Sequence, residues 1–285
     1  MAISLNKLKS KLEGLEIGSV QKNELLHEIE KYQQEVADLE FQYKRISGDK
    51  SSLYTLLNRI TEDLEEAMKQ LEIEKEKSEH LLLNILPAAI AEQLKFKEDI
   101  IADIFPEATL LFADIVDFTP ISTQLSAEKL VVMLNDVFSA IDELAEKHNL
   151  EKIKTIGDAY MVAGGLPIPR KDHAEAIADM ALDIMGMIGQ FKRQSGEAFS
   201  MRIGIHSGPV IAGIIGKKKF SYDLWGDTVN TASRMESHGV EDKIQATGET
   251  FNRLKDKYDF VTRGIIQVKG KGDMMTYFLV AKKNH

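Results

Sequence analysis

Cysteine is absent from the 285 residues, tryptophan occurs once and proline six times. The lack of cysteine excludes disulfides, thiolate catalysis and zinc sites built on thiolates, and it is compatible with a reducing compartment. No run reaches the roughly 18 apolar residues that a membrane-spanning helix needs, and the N-terminus, Met-Ala-Ile-Ser-Leu-Asn-Lys, has no signal-peptide core. These absences predict a soluble, cytoplasmic protein without membrane insertion.

Charge and hydrophobicity narrow the class of protein further. The formal net charge is −9, which argues against general binding to nucleic acid or to an anionic membrane and leaves room only for a local basic pocket. Hydrophobic residues make up 44% of the chain, enough to form a folded core in one or two domains.

The first third of the sequence carries a regular apolar repeat with alternating steps of four and three residues, which predicts a long α-helical coiled coil. A strict period of 3.5 over this length favours self-association over packing on a domain. Gly48-Asp49 is the predicted kink, and residues before about 20 either form a separate short helix or fray. The repeat contains Leu25, Ile29, Tyr32, Val36, Leu39, Tyr43, Ile46, Leu53, Leu57, Ile60, Leu64, Ala67, Leu71, Leu81 and Ile85.

The repeat stops before Pro87, because proline cannot continue a helix interior. A short amphipathic segment, Ala88 to Lys95, follows before the composition changes. We therefore divide the chain into a helical coiled coil (1–86), a linker (87–105) and a globular domain (106–285).

The globular part alternates β-branched runs with helical periodicity, which predicts an α+β domain with a ferredoxin-like βαββαβ core and extra C-terminal strands. The predicted core elements are strand Thr109 to Phe118, helix Ala127 to Lys147, strands Lys152 to Ile156 and Ala159 to Ala163, a helix after Pro169, and strand Ser200 to His206. The predicted extension comprises a run from Val210 to Ile215, helix Val229 to Ser237, strand Lys243 to Thr247 and a hairpin from Val261 to Ala281.

Two aspartates in this part are candidate metal ligands. Asp158 lies in the Gly157-Asp158 hairpin turn, where it could serve only as a turn former. Asp114 lies in an otherwise apolar strand, where an ionised carboxylate is costly unless a metal or a donor compensates it. In this topology the first strand can lie beside the hairpin, so Asp114 and Asp158 can converge on one or two Mg²⁺ ions. For Asp117 a local cap or ion pair is the simpler interpretation.

A second polar cluster runs from Tyr222 to Arg234. Asp227 or Thr228 is predicted to cap a helix that begins near Val229, which places Asn230 and Arg234 four residues apart on one face. An amide and a guanidinium can hold a ribose and a phosphoryl group, although the same residues alone would fit a solvated helix surface.

Five motifs together resemble the catalytic domain of class III nucleotidyl cyclases over roughly Pro106 to Val280. They are Phe112-Ala-Asp-Ile-Val-Asp-Phe-Thr, Lys152-Ile-Lys-Thr-Ile-Gly-Asp-Ala-Tyr-Met, Gly204-Ile-His-Ser-Gly, Tyr222-Asp-Leu-Trp-Gly-Asp-Thr-Val-Asn-Thr-Ala-Ser-Arg and Val268-Lys-Gly-Lys-Gly. The resemblance implies a site for two Mg²⁺, with Mn²⁺ as a substitute, held by Asp114 and Asp158 with the Ile115 carbonyl as an auxiliary ligand.

The same resemblance implies roles for the remaining site residues. Asn230 and Arg234 would orient the ribose and stabilise the transition state, Lys269 would bind the terminal phosphates with Lys271 as a weaker candidate, and Phe112 would contact the substrate. Lys154 and Asp223 match the family's adenine-reading positions, where guanylate cyclases have Glu and Cys. Adenine offers an amino donor and a ring-nitrogen acceptor, which suit a carboxylate and an ammonium, and guanine reverses both.

The sequence therefore predicts an adenylate cyclase that converts ATP to 3′,5′-cyclic AMP and pyrophosphate. A guanylate cyclase is the nearest alternative. A silent pseudocyclase acting as a coiled-coil signalling module is another, and it would have lost a metal aspartate or Arg234. The Gly-Gly-acidic-Glu-Phe turn expected of diguanylate cyclases is absent, since Leu-Pro follows Gly164-Gly165.

A homodimer is implied because the family's active site lies between two domains and one chain here has every part. The coiled coil resembles the signalling helix of sensor-linked cyclases, with Leu81 to Lys95 at the transducer position, so an upstream sensor or regulatory partner could act through it. His206 is expected to be structural, and His173 to open its helix.

Overall fold

The computed structural model describes residues 7, 10–11, 14, 19–45, 50–96, 101–193, 196–216 and 219–283. Contacts divide the chain into two compact units, residues 1–85 and 86–285. The predicted kink at Gly48-Asp49 and most of the segment before residue 20 lie outside the described residues. Within the described ranges, no helix is both long enough and apolar enough to cross a membrane.

The first unit contains helix α1 (Ser19–Arg45) and helix α2 (Lys50–Leu83). Ile29 of α1 is buried, and the apolar side chains packed against it include Leu64 and Leu71 of α2. On one straight helix Ile29 and Leu64 would lie about 50 Å apart, so their packing requires the chain to reverse direction between α1 and α2. The apolar repeat thus packs partly against itself within one chain, and pairing of two chains stays a prediction.

The second unit is an α+β domain in which strands and helices alternate along the chain. Its elements are α3 (Ala88–Phe96), β1 (Ala102–Ile115), α4 (Phe118–Gln124), α5 (Ala127–Lys147), β2 (Glu151–Ile156), β3 (Ala159–Gly164), α6 (His173–Ile188), β4 (Met201–Ile215), β5 (Ser221–Trp225), α7 (Asp227–Ser237), β6 (Lys243–Thr247), α8 (Gly248–Leu254), β7 (Tyr258–Val268) and β8 (Gly272–Lys282).

The strands of the described residues form one sheet in the order β2-β3-β1-β4-β6-β8-β7, and β5 pairs with β4. The pairs β1 with β3, β1 with β4 and β2 with β3 are antiparallel, whereas β4 and β6 run parallel. The first four strands and their connecting helices follow the βαββαβ order that the sequence predicted, and β6, β8 and β7 extend the sheet. The α+β fold is confirmed.

Strand alternation gives the sheet two different faces. Leu111, Ala113 and Ile115 of β1 belong to the buried core that also contains residues of α5 and α6. Successive strand residues point to opposite faces, so Phe112 and Asp114 face the other side. Helix α7 packs there against β4, at Gly204, where an added Cβ would lie 2.0 Å from the backbone nitrogen of Glu236.

The predicted extents of two strands, β1 and β4, were wrong. Strand β1 begins at Ala102 and ends at Ile115, not Thr109 to Phe118, and the two runs predicted around Gly208-Pro209 form the continuous strand β4. The register of β1 and β4 shifts between Phe105 and Ala108, and the unpaired residues at this shift include Pro106 and Pro209. Because proline lacks a backbone donor, both prolines fit at this irregularity without ending either strand.

Candidate active site

Asp114 and Asp158 come together at the end of β1. Strand β1 pairs with β3, and Asp114 lies opposite Ala159, the residue after Asp158. The pKa of Asp158 is raised by burial and by the neighbouring carboxyl group of Asp114. Gly157 has a φ of 64°, as the first loop position of a type II′ hairpin requires, so this turn fixes Asp158 beside the strand end.

Arg202 supplies a positive charge to this pair of aspartates. It lies opposite Asp114 in the β1–β4 register, and its Nη2 donates to Asp114 Oδ2 at 2.6 Å. Its Nε is 3.6 Å from Oε1 of Glu236 on α7. Burial, with a smaller effect of the Asp114 charge, raises the pKa of Glu236 to about 7. Two acidic side chains, Asp114 and Glu236, therefore flank one guanidinium.

This arrangement fits a divalent cation. Asp114 and Asp158 repel each other when both are ionised, and Arg202 already supplies a cationic partner to Asp114. Mg²⁺ prefers oxygen ligands and commonly uses one or two carboxylates together with substrate phosphates and water. In the described part of the chain, no group of three or more His, Asp or Glu side chains is arranged around a metal position. The protein's contribution would thus be the two aspartates.

Lys154 and Asp223, the predicted base-reading pair, form an ion pair in the structure. Lys154 Nζ on β2 donates to Asp223 Oδ2 on β5 at 2.5 Å. The second oxygen of Asp223 accepts from the backbone nitrogen of Leu224 at 2.8 Å, which orients the carboxylate. The pair is partly exposed, with side-chain exposures of 37% for Lys154 and 16% for Asp223, so a ligand can reach it.

Asn230 and Arg234 lie four residues apart on α7, as predicted, with Asn230 exposed and Arg234 half-buried. The predicted cap was wrong. Gly226 occupies the N-cap with a φ of 132°, and Asp227 lies in the first turn. An acidic residue there is favourable because the helix N-terminus carries partial positive charge.

The turn between β7 and β8 lies beside Arg234. A Cβ at Gly270 would be 3.3 Å from Arg234 Nη1, so the guanidinium packs against the turn that carries Lys269 and Lys271. Lys271 forms an ion pair with Asp227 of α7, whereas Lys269 is exposed. The surroundings of the two lysines therefore differ, because Lys271 is paired with α7 whereas Lys269 is accessible to a ligand.

The two groups of predicted site residues lie apart in the described part of one chain. No hydrogen bond or ion pair joins Asp114 or Asp158 to Asn230 or Arg234 in the residues that the structure describes. Arg234 and Glu236 are two residues apart on α7 and point in nearly opposite directions, because each helical residue turns by about 100°. Glu236 faces the aspartates of its own chain, and Arg234 faces the Gly270 turn.

Residues 101–281 match the family model described as "Adenylate and Guanylate cyclase catalytic domain". The chain belongs to this family. Adenylate cyclase from Mycobacterium tuberculosis is 48% identical over 222 residues, which cover 78% of this chain and 50% of that protein. The human guanylate cyclase soluble subunit beta-2 is 43% identical over 230 residues, covering 80% of this chain and 37% of that protein.

Among solved structures, the guanylate cyclase domain of RhGC from Catenaria anguillulae, in complex with GTP, is similar with a TM-score of 0.62 and 40% identity. The match covers 64% of this chain and all of that one. This cyclase chain spans half or less of the length of the two curated relatives, and the similar proteins include both adenylate and guanylate cyclases.

The remaining predicted residues of the cyclase domain have clear surroundings. Ile115 is buried in the core as the last residue of β1, and Phe112 is buried on the face it shares with Asp114. Asp117 occupies the N-cap position of α4 with a φ of 58° and makes no capping hydrogen bond. It borders a cavity of about 870 Å³ between α4, α5 and the segment before β4, which contains none of the predicted site residues.

His206, which was expected to be structural, and His173, which was expected to open its helix, belong to one buried polar network. His206 Nδ1 is 2.7 Å from Thr247 Oγ1, and burial lowers the pKa of His206 to about 4. His173 opens α6, as predicted, and its Nδ1 is 2.7 Å from Thr109 Oγ1. Hydroxyl contacts through Ser207 connect the His173 end of this network with the His206 end.

Sequence reasoning missed Arg202 and Glu236. A signal for Arg202 was available, because it is a charged residue in an apolar strand, two residues before Gly204. In the structure it lies on the same sheet face as Gly204 and Asp114. Glu236 gave no such signal, since a glutamate near a helix end is ordinarily exposed and its burial depends on how α7 packs on β4.

Proposed function

We propose that this chain is an adenylate cyclase that converts ATP to 3′,5′-cyclic AMP and pyrophosphate. The observation that carries the proposal is the ion pair of Lys154 and Asp223, which offers one donor and one acceptor side by side. Adenine matches this pair, since its N6 amino group donates to Asp223 and its N1 accepts from Lys154. Guanine presents an acceptor and a donor in the reverse positions, so a guanylate cyclase is the weaker alternative.

In the proposed mechanism, Asp114 and Asp158 would hold two Mg²⁺, with Mn²⁺ as a substitute, and the Ile115 carbonyl would be an auxiliary ligand. Bound metal would supply activation of the ribose 3′-hydroxyl and neutralisation of the triphosphate charge. The 3′-oxygen forms a bond to the α-phosphorus and gives up its proton to water while the bond to the departing pyrophosphate breaks.

The chain's own residues supply position and charge. Asn230 orients the ribose, and Arg234 donates hydrogen bonds to the phosphoryl oxygens as charge develops on them. Lys269 binds the terminal phosphates, consistent with its exposure, while Lys271 is the weaker candidate because it is paired with Asp227. Phe112 contacts the substrate from the face that it shares with Asp114. Since the metal aspartates and Arg234 are all present, a silent pseudocyclase is disfavoured.

The complete site would lie between two copies of the chain. Asp114 and Asp158 of one copy would face Asn230 and Arg234 of the other, so a symmetric homodimer would have two sites. The absence of contact between these halves within the described part of one chain supports this arrangement.

The N-terminal repeat is proposed to pair the two copies and to transmit a signal from an upstream sensor or regulatory partner through residues 87–105 to the catalytic domain (106–285). Substituting Asn for Leu57, Ile60 and Leu64 is expected to weaken dimerisation and activity together, and full activity in the triple variant would contradict this role. The cytoplasmic location expected from the sequence also stays a prediction.

Product identification with purified protein tests the central proposal. Cyclic AMP from ATP would support it, and cyclic GMP from GTP without any cyclic AMP from ATP would overturn it.

A further inference from the structure

One end of the Arg202 guanidinium makes a hydrogen bond, and the other end makes none within the described part of the chain. Its Nη2 lies 2.6 Å from Asp114 Oδ2, a short charge-assisted hydrogen bond. Its Nε is buried without a hydrogen-bond partner among the described residues, and Oε1 of Glu236 lies 3.6 Å from it. The guanidinium is therefore held by Asp114 and stops short of Glu236.

Glu236 is fixed in this position by the packing of α7 on β4. Gly204 lets the backbone of Glu236 approach β4 closely, and Arg202 lies two residues earlier on the same face of the strand. Glu236 is only 8% exposed, and among the described residues its one ion-pair contact is with Arg202. A buried carboxylate needs a charged partner, so its position relative to Arg202 matters energetically.

We propose that Glu236 is a positioning residue that receives Arg202 when a divalent cation binds to Asp114 and Asp158, an inference that rests on the metal site of the proposed function. Metal and guanidinium compete for Asp114, so metal binding leaves Arg202 without its partner. The Nε of Arg202 needs to move by less than about 1 Å to form a charge-assisted hydrogen bond with Glu236. Glu236 thus keeps the guanidinium paired when the metal takes its place.

This role predicts how the two side chains affect metal affinity. Without Glu236, metal binding leaves a half-buried guanidinium unpaired, so the affinity for metal falls. Without Arg202, nothing competes for Asp114, so the affinity rises. Because Glu236 acts through Arg202, its removal has no further effect once Arg202 is absent, which distinguishes positioning from a simple effect of negative charge.

The test measures Mn²⁺ binding to the full chain without nucleotide, from the paramagnetic resonance signal of free Mn²⁺. Glu236→Gln is expected to weaken binding about tenfold, the effect of one charge-assisted hydrogen bond. Arg202→Gln is expected to tighten it, and Glu236→Gln in the Arg202→Gln background should change nothing. Glu236→Asp keeps the charge but shortens its reach, so it should weaken binding like Glu236→Gln. Exposed Glu241, replaced by Gln, is the control.

Equal weakening by Glu236→Gln with and without Arg202, or wild-type affinity in both Glu236 variants, would overturn the positioning role while leaving the metal site intact. Mn²⁺ binding that survives Asp158→Asn would instead overturn the metal site, and this inference with it. Thermal unfolding in a metal chelator checks the fold of each variant. If Glu236→Gln does not fold, the same outcomes are read from Glu236→Asp.

Discussion

Lys154 and Asp223 lie 69 residues apart in the sequence, yet their side chains form an ion pair of 2.5 Å between β2 and β5. Strand β5 pairs with the far end of β4 and β2 pairs with β3, so the pair joins two strands that are not hydrogen-bonded neighbours. The fold thus brings one fixed acceptor and one donor together at a partly exposed position. That is the hydrogen-bonding pattern adenine requires.

The first prediction concerns nucleotide preference. The double variant Lys154→Glu with Asp223→Cys removes the adenine-matching donor and acceptor and places an acceptor where the ring nitrogen of guanine carries its proton. The ratio of ATP to GTP turnover is expected to fall about a hundredfold, the effect of two reversed hydrogen bonds. Initial rates of both cyclic products, at one metal concentration, measure this ratio.

The control for this prediction is Lys152→Glu. Lys152 lies on the same strand but pairs with Asp142 at 2.7 Å, so its replacement should leave the preference unchanged. A double variant that retains the wild-type ratio would show that the pair does not read the base.

The second prediction concerns the shared site. Asp158→Asn and Arg234→Ala should each abolish activity, because each removes one half of both sites in a homodimer. When the two inactive proteins are mixed and allowed to exchange subunits, each heterodimer recovers one intact site. About a quarter of wild-type activity is then expected, since half of the dimers have one of two sites.

Mixing Asp114→Asn with Asp158→Asn serves as the matched control. Both substitutions damage the same half of the site, so no activity should return. Activity restored in this control, or none restored in the first mixture, would contradict a site shared between chains.

The third prediction concerns the packing of α7. Gly204→Ala places a Cβ against the backbone of Glu236, and backbone cannot yield as a flexible side chain would. The free energy of unfolding should fall by about 3 kcal/mol or more. In contrast, an added Cβ at exposed Gly186 of α6 would meet no described atom within 4 Å outside the nearby turns of its own helix, so Gly186→Ala should stabilise the protein by about 0.5 to 1 kcal/mol. Denaturant unfolding compares the two, and equal stabilities would refute the close approach.

The fourth prediction concerns pH. The pKa of His206 is lowered to about 4 in the folded protein, from an ordinary 6.5, because the ring is buried. Below pH 6.5 the unfolded chain takes up a proton that the folded protein does not, so stability is full above this pH and falls towards pH 4. The loss from this group is about 3 kcal/mol over that range. His206→Gln should show a correspondingly smaller fall in unfolding free energy, and an unchanged pH dependence would exclude His206 as its source.

Sequence patterns predicted much of the fold, for physical reasons that are local. Helix α5 was predicted from Ala127 to Lys147 because its apolar face repeats regularly, and in the structure Ser126 caps it. Strand β6 was predicted from Lys243 to Thr247. In contrast, α4 and α8 were not predicted, because seven residues make only two helical turns, and β5 was not predicted because the charged Asp223 stands in its middle.

The site was predicted in parts. Asp114 and Asp158 drew attention because an ionised residue in an apolar strand and a carboxylate in a tight turn both need explanation. Lys154 and Asp223 were paired through resemblance to a family, since nothing local indicates that β2 and β5 approach each other. Glu236 could not be found this way, because its burial follows from Gly204 and from the packing of two elements distant in sequence.

The most direct test of the central claim is the product formed by the purified chain. Incubation with ATP or GTP, each with Mg²⁺ or Mn²⁺, followed by chromatographic and mass-spectrometric identification, separates the alternatives. The proposed function predicts 3′,5′-cyclic AMP and pyrophosphate from ATP, in preference to any cyclic GMP from GTP. No cyclic AMP under any metal condition, with protein that is folded and dimeric, would contradict it.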